Sequence, residues 1–439
     1  MSHRSGDKLR IVGSIPLEGT VRVSGSKNAA LPMMAAAILA EEPVRLEGVP
    51  RLADVDTLGR VLGELGVEAS RAPDGDLLLE TVDSRPTRAG WKMVRRMRAS
   101  FCVLGPLLAR RGRAVVSLPG GCNLGPRPVD LHLKGLAALG ADLKVEHGSV
   151  VARAARLVGA TIDLGGPRGP TVTGTANVLS AAVLARGTTT IRSAATEPEI
   201  VDLGNLLNRM GARIDGLGST TLRVAGVDSL GGTSHRVIPD RIEAATLLLG
   251  VAITGGTSTI TGLTPGHLEA VLAGLDLAGA ELEVGDDRVR LAVRGKLKAV
   301  DVTARPYPGI PSDVQAQWMA LLSLCEGHST IRDMVFPGRF QHVAELNRLG
   351  TRIAMGNSAA EVTGVGHLSG AQVTASDLRA SAALVLAGLA AEGETIVHQA
   401  YHLDRGYERL DRKLRGLGAR IERISGRANL GQEHSSLGL

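Results

Sequence analysis

The chain has 439 residues, 44% of them hydrophobic and 21% charged, and a formal net charge of +6, the balance of a globular protein of two or three domains. Aromatic residues make up only 2%, so the core must be built from Leu, Val, Ile and Ala, and the composition argues against a nucleic-acid binder that stacks bases on aromatic platforms. The small positive excess is not blocked into a tail and suits anionic substrates. Three cysteines, Cys102, Cys122 and Cys325, make no disulfide framework and point to a reducing compartment. No apolar leader opens the sequence and no run of 18 apolar residues occurs in it, so a cytoplasmic protein without a membrane partner is expected.

In chain order, KNAALPMMAAAILA from Lys27 is apolar on nearly every side and predicts a buried helix. Lys27 and Asn28, just before it, put a cation and an amide at a helix N-terminus, a natural anion or hydroxyl site; capping and surface charge explain the pair equally. MRAS places Arg98 among Arg95, Arg96, Arg110, Arg111 and Arg113, a cluster that a solvated face accounts for as well as a site does. Cys102, in FCVLGPLL, reads as core. LPGGCNLGPRPVD, from Leu118 to Asp130, is different. Cys122 lies there among Gly120, Gly121 and Asn123 rather than on an apolar stripe, and Arg127, five residues on, favours a thiolate and an anion. The glycines give that loop freedom, and Pro126 and Pro128 fix Arg127.

TANVLSAAVLARG from Thr175 and RIEAATLLLGVAITGG from Arg241 repeat the buried-helix pattern, followed by the strands TTTIRSA and STITGL. RPYPGIPSDVQAQ, from Arg305 to Gln317, is a loop stiffened by three prolines. Ser312 or Asp313 there caps the helix that follows, or Asp313 stands as a rigidly placed general base. Cys325, in MALLSLCEG, reads as core, and FPGRF puts Arg339 in a second stiff loop. DLRASAALVLAGLAAEG from Asp377 is another buried helix, and YHLDRGYERLDRKL puts Arg405 at the start of the last helix. Lys27, Arg98, Arg127 and Arg405 are candidates to converge on a phosphate. The sequence has no GxxxxGK[ST] loop, no strand–turn–helix dinucleotide fingerprint, no HExxH and no CxxC, so phosphate binding would come from side-chain cations, without a nucleotide cradle or a metal cluster.

A repeat organises the whole. ELGVEAS, ALGADLKV, RMGARIDG, LAGAELEV, RLGTRIAM and GLGARIER each end an amphipathic helix at a glycine and begin an alternating strand. Those glycines, Gly66, Gly140, Gly211, Gly279, Gly350 and Gly418, are spaced 74, 71, 68, 71 and 68 residues apart. Six units predict two similar α/β domains of three units each. Residues 22–236 form one domain, carrying the Cys122 loop. Residues 1–21 with 237–430 form the other, carrying Asp313 and Arg405, and 431–439 form a flexible tail. If the first twenty residues pair with the second half, two chain crossings join the domains.

SGSKNAALP, MRAS, VLGPLLARRG, SLPGGCNLGPRPVDLHLKGL, EPEIVDL, VIPDRIEA, YPGIPSDVQAQ, GRFQHVAEL, DLRASAALVLAGLAAEG and YHLDRGYE together resemble the UDP-N-acetylglucosamine 1-carboxyvinyltransferases, the enolpyruvyl transferases of bacterial peptidoglycan synthesis. The resemblance runs from about Leu9 to Arg423. The shikimate-pathway enolpyruvyl transferase is similar in fold but lacks the GGC loop. The resemblance implies two inside-out α/β domains, each of three βαβαββ units. It also implies transfer of the enolpyruvyl group of phosphoenolpyruvate to the 3-hydroxyl of UDP-N-acetylglucosamine, without cofactor or metal, as the first committed step of cell-wall synthesis and the target of fosfomycin. Those two small molecules are the expected partners; the sequence does not set the oligomeric state.

Carried over residue by residue, Lys27, Asn28, Arg98, Arg127, Arg379 and Arg405 would surround phosphoenolpyruvate. Asn28, Arg98, Arg127, Pro128, Val129, Asp130, Leu131, Thr171, Val172, Thr173, Asp313, Val335 and Arg339 would contact the sugar nucleotide, with Thr171–Thr173 at its diphosphate beside the domain hinge. Cys122, Asp313, Lys27 and Arg405 would be catalytic, and Asp377 a further active-site residue. The family often reads SVGATEN where this chain reads TVTGTAN: Thr173 replaces a frequent Gly, and Ala176 a Glu. This departure, beside the substrate, leaves open a relative that uses another nucleoside acceptor. A catalytically idle protein of the same fold is the other alternative, set against the joint presence of Lys27, Cys122 and Asp313.

Overall fold

A computed structural model describes residues 6–95, 97–119, 129–357 and 359–426. The chain divides into two compact units. The first is Ser24–Asp240 with Pro306–Pro308; the second is Met1–Val23, Arg241–Arg305 and Gly309–Leu439. The divisions at Val23/Ser24 and Asp240/Arg241 lie two and four residues beyond those set from the sequence. The expected tail, 431–439, lies outside the described residues.

Among the described residues each unit holds three four-stranded sheets of one pattern, in which one strand runs parallel to a second and that second strand is antiparallel to the nearer member of an antiparallel pair. In the first unit the sheet of Arg88–Ala89, Arg113–Ser117, Ser149–Arg153 and Asp142–Glu146 is built from consecutive chain. So is that of Thr161–Asp163, Thr188–Arg192, Thr221–Ala225 and Arg213–Asp215. The third is closed from a distance: Thr233–Arg236 returns to lie parallel to Val44–Glu47, with Thr233 opposite Val44. In the second unit the N-terminus does the closing. Lys8–Val12 pairs antiparallel with both Glu394–His398 and Arg420–Ile424, and Glu18–Arg22 lies parallel to Thr257–Thr261. The first strands therefore join the second half of the chain, in line with two α/β domains of repeating β–α pieces.

The helices divide by what their sequences can bury. Lys27–Ala36, Val172–Ala182, Arg241–Ile253, Gln315–Leu322 and Leu378–Ala390 are buried along almost their whole length. Having no polar face, they can only lie inside. Each unit has its own apolar core around its helices. The outer helices, such as Pro198–Arg209, bury one stripe and then stop. All six repeat glycines have positive φ, from +73° at Gly66 to +109° at Gly211, the left-handed turn that ends a helix at least cost when no Cβ is present. Among the described residues no helix is long and apolar enough to cross a membrane.

Candidate active site

In the first unit, Ser26 caps the helix Lys27–Ala36 by accepting from the Ala29 amide at 3.2 Å. Lys27 and Asn28 are thus the helix's first two residues, not its prelude. A Cβ on Gly25 would meet the Gly48 carbonyl oxygen at 2.1 Å, so only glycine lets the chain pass that close. Lys27 is not surface charge: it is buried. Its Nζ lies 3.3 Å from Oδ2 of the buried Asp54 on the next helix, and its amide donates to Asp240 Oδ2 at 3.4 Å. An ammonium out of water requires such a counter-charge. Asn28 beside it is half-buried.

Arg98 opens the 3₁₀ segment Arg98–Val103 and is half-buried. Its charge reaches two buried groups. The Cys102 thiol is pushed up to about 12 by burial, against the pull of Arg98. The His132 imidazole is pushed down to about 3 by burial and further by Arg98. Cys102 is therefore inert core, as expected from its context, and the Cys325 thiol is likewise raised to about 12 by burial.

Val129, Asp130 and Leu131 stand at the start of the helix Asp130–Ala138, which packs against Val172–Ala182. Thr171 caps the latter, accepting from the Gly174 amide at 3.2 Å, and Val172 and Thr173 form its first turn. His132, one residue past Leu131, joins the two helices: its Nε2 lies 3.2 Å from Thr173 Oγ1 and its Nδ1 3.0 Å from Asn177 Nδ2. Ala176, the other departure in this stretch, is part of the apolar core at 2% exposure. Cys122, Arg127 and Pro128 lie outside the described residues.

In the second unit the expectation that Ser312 or Asp313 caps the following helix is corrected. Ser312–Val314 is a 3₁₀ turn, and neither it nor Gln315–Leu322 has a side-chain cap. Asp313 is instead claimed from a distance: its Oδ1 accepts from Arg339 Nη2 at 3.0 Å and from Arg379 Nε at 3.1 Å. Both guanidinium groups are buried, at 6% and 3% side-chain exposure, while Asp313 remains 35% exposed. Two charge-assisted bonds to one oxygen orient the carboxylate and leave it reachable from solvent.

The supports are layered behind it. Arg339 Nη1 donates to Ser312 Oγ at 3.2 Å, and the Ser312 hydroxyl donates to Asp333 Oδ2. Asp333 Oδ1 in turn accepts from the amides of Val335 and Phe336 at 3.0 and 2.7 Å, fixing the loop that carries Val335 and Arg339. Burial pushes the Asp333 carboxyl up, against those hydrogen bonds and Arg339. Asp377 caps the helix Leu378–Ala390, accepting from the amides of Arg379 and Ala380 at 2.8 and 3.1 Å, and so sets the position of Arg379. The Arg379 guanidinium stands 5.2 Å from the Tyr407 ring centroid. His342, buried, is pushed down to about 4 by burial and by Arg339, with Asp377 opposing. Arg405 ends the 3₁₀ segment Ala400–Arg405, five residues before the last helix, Leu410–Gly416, rather than starting that helix. It lowers the pKa of His402 after burial has done so.

The structure thus brings together Asp313, Arg339, Asp377 and Arg379 in one unit, and in the other places Thr173 with the helix start at Leu131. Asp54, His132 and Asp333 were missed. A partner 27 residues away, and single acids or histidines on amphipathic stretches, give no local signal. Among the described residues no group of three or more His, Cys, Asp or Glu is disposed to hold a metal ion.

Residues 11–414 match the family of EPSP synthase (3-phosphoshikimate 1-carboxyvinyltransferase). The chain is 50% identical over 421 residues to a UDP-N-acetylglucosamine 1-carboxyvinyltransferase 2 of Carboxydothermus hydrogenoformans, covering 95% of this chain and 100% of the relative. It is 51% identical over 421 residues to a UDP-N-acetylglucosamine 1-carboxyvinyltransferase of Maricaulis maris, covering 95% and 99%. Among solved structures it is similar to the enolpyruvyl transferase NikO from Streptomyces tendae, with a TM-score of 0.85 and 30% identity over 96% of this chain and 99% of that one. An EPSP synthase from Acinetobacter baumannii, at 18% identity and a TM-score of 0.76 over 95% and 100%, shares the fold.

Proposed function

The chain belongs to the UDP-N-acetylglucosamine enolpyruvyl transferases of the EPSP synthase family, and from that premise we propose that it transfers the enolpyruvyl group of phosphoenolpyruvate to the 3-hydroxyl of UDP-N-acetylglucosamine, releasing phosphate, as the first committed step of peptidoglycan synthesis. The observation that carries this reading is Asp313: a carboxylate oriented by Arg339 and Arg379 yet reachable from solvent is what a group that takes a hydroxyl proton requires.

The chemistry runs as addition and then elimination. Cys122, as general acid, gives a proton to the methylene carbon of phosphoenolpyruvate, and cationic character develops at C2. The sugar 3-hydroxyl bonds to C2 while its proton passes to Asp313. The bond from C2 to the phosphate oxygen then breaks and phosphate leaves, a methyl proton passes to the Cys122 thiolate and restores the thiol, and the enol ether remains. Lys27, Arg98, Arg127, Arg379 and Arg405 offset the charges of phosphate and carboxylate and hold the reactants in line. Asn28, Pro128–Leu131, Thr171–Thr173, Val335 and Arg339 hold the sugar nucleotide, and Asp377 acts by positioning Arg379.

Phosphate release measured with UDP-N-acetylglucosamine, UMP and shikimate 3-phosphate as acceptors tests the reading: turnover is expected with the first, and its absence overturns the proposal. Mass spectrometry after exposure to phosphoenolpyruvate or fosfomycin is expected to find an adduct on Cys122. Undiminished turnover in Cys122→Ser would remove its role as acid.

A further inference from the structure

Two backbone groups determine a chain of hydrogen bonds that ends at the first turn of the helix Val172–Ala182. The Gly105 amide can only donate, and it donates to Asn177 Oδ1 at 2.5 Å. The Phe101 carbonyl can only accept, and it accepts from Asn177 Nδ2 at 3.0 Å. The Asn177 amide therefore has one possible orientation. Its remaining N–H points at His132 Nδ1, 3.0 Å away, so that nitrogen is the acceptor. A neutral imidazole that accepts at Nδ1 carries its proton on Nε2. His132 is 2% exposed and Asn177 fully buried, the Phe101 ring packs edge-on at 5.3 Å, and the imidazole stays neutral far below its ordinary range.

The consequence falls on Thr173. Its Oγ1, 3.2 Å from Nε2, must accept from that N–H, so the hydroxyl proton is directed elsewhere. Among the described residues the structure gives it no acceptor, and Thr173 is only half-buried. The Thr171 side chain is already committed to the Gly174 amide. A hydroxyl donor is thus presented beside the amides of the helix's first turn, the place where an anion is favoured.

We propose that His132 is a positioning residue for the acceptor's phosphate groups: locked as its Nε2–H tautomer by Asn177, it makes the Thr173 hydroxyl an obligatory donor to a nucleoside diphosphate. This rests on the acceptor reading given above and deepens it. The frequent glycine at this position supplies only an amide, so the chain has added a donor whose direction is set from inside the unit.

The experiment compares Thr173→Val, Thr173→Ser, His132→Phe and the double variant Thr173→Val/His132→Phe. Binding of UDP and of uridine is measured by calorimetry, and KM for each substrate by phosphate release. Thr173→Val preserves shape and loses the donor: UDP binding and the acceptor KM should weaken about tenfold, the scale of one hydrogen bond to a charged group. Uridine binding and the KM of phosphoenolpyruvate should move less than twofold or so. Thr173→Ser should recover most of the loss, and the double variant should be no worse than Thr173→Val. Equal weakening of uridine and UDP, or additive effects of the two substitutions, would overturn the proposal, and Thr173→Val decides it even if His132→Phe folds poorly. Wild-type protein that binds UDP but does not turn over UDP-N-acetylglucosamine defeats the acceptor reading while leaving the relay to be judged by UDP against uridine.

Discussion

The two units share a sheet pattern, a buried-helix core and a set of glycine stops, yet their charged groups are built on opposite plans. In the first, one ammonium, Lys27, is sunk beside one buried carboxylate, Asp54, and the polar side chains at the start of the helix Val172–Ala182 are neutral hydroxyls. In the second, one partly exposed carboxylate, Asp313, is gripped by two buried guanidinium groups. A buried pair is held by mutual need: removing one partner leaves the other in low dielectric. A half-exposed carboxylate is held for its direction. The same scaffold therefore gives the first unit a cation whose counter-charge is buried with it, and the second a carboxylate that stays open to solvent while its partners are buried.

Asp313→Asn is the sharpest way to break this contrast. The shape is kept and the proton acceptor is lost, so turnover by phosphate release should fall by about 10²- to 10⁴-fold, and the urea midpoint should fall as well, because the buried Arg339 and Arg379 guanidinium groups lose that counter-charge. A fall of less than about tenfold would remove Asp313 from the reaction. Lys27→Met tests the other plan. It deprives the buried Asp54 carboxylate of that counter-charge, and urea unfolding should show a loss of about 3 kcal/mol. Adding Asp54→Asn should return most of that stability and none of the activity. If the double variant is as unstable as the single, the pair is not what holds the first unit's cation in place.

The fold was legible where a segment had no alternative. A helix without a polar face, such as Arg241–Ile253, has to be internal, and a left-handed helix stop strongly favours glycine. Both signals are local. The site was legible only in its residue types. Pro311-Ser312-Asp313 before a helix has the composition of a cap, and nothing nearby says that Arg339 and Arg379, 26 and 66 residues further along, take the carboxylate instead. Arg405 reads as the start of the last helix because YERLDRKL continues a helical pattern, whereas the chain winds as 3₁₀ through Ala400–Arg405 and the helix begins only at Leu410. His132 carries no sequence signal of its own; its meaning lies in Asn177, 45 residues away. Tertiary partners, not propensities, decide all three.

Each unit also buries a histidine beside its site, which gives a smaller and symmetric test. His132 is pushed down to about 3 and His342 to about 4, burial being the first cause of each. In the unfolded chain both titrate near 6.5. Below that pH the unfolded state binds protons that the native state refuses, so stability present at neutral pH is lost as pH falls. Each histidine should contribute about 1.4 kcal/mol per pH unit, His342 down to about pH 4 and His132 down to about pH 3. Urea unfolding between pH 7 and 5 should show their contribution to the slope, with that of the lowered His402 and His398 added, and His132→Phe should make the slope shallower. An unaltered slope would mean that native His132 accepts the proton, and the fixed tautomer would fall with it.

The smallest expected effect compares two helix stops. Gly279, in the second unit, has φ of +98° and open space where a Cβ would stand; Gly66, in the first, has φ of +73° and the Asp83 carbonyl oxygen 2.0 Å from that point. Alanine at 279 meets only the left-handed backbone and should cost about 1 kcal/mol, with asparagine costing less because it tolerates that region. Alanine at 66 meets the same backbone and a carbonyl that has to move, so it should cost more, and asparagine should bring no relief. Urea midpoints of the four variants separate the two causes. Equal losses at 66 and 279 would mean that conformation alone keeps the glycine at every repeat. A loss confined to 66 would mean that close packing keeps it there, and that the regular spacing across the second unit rests on something other than the sign of φ.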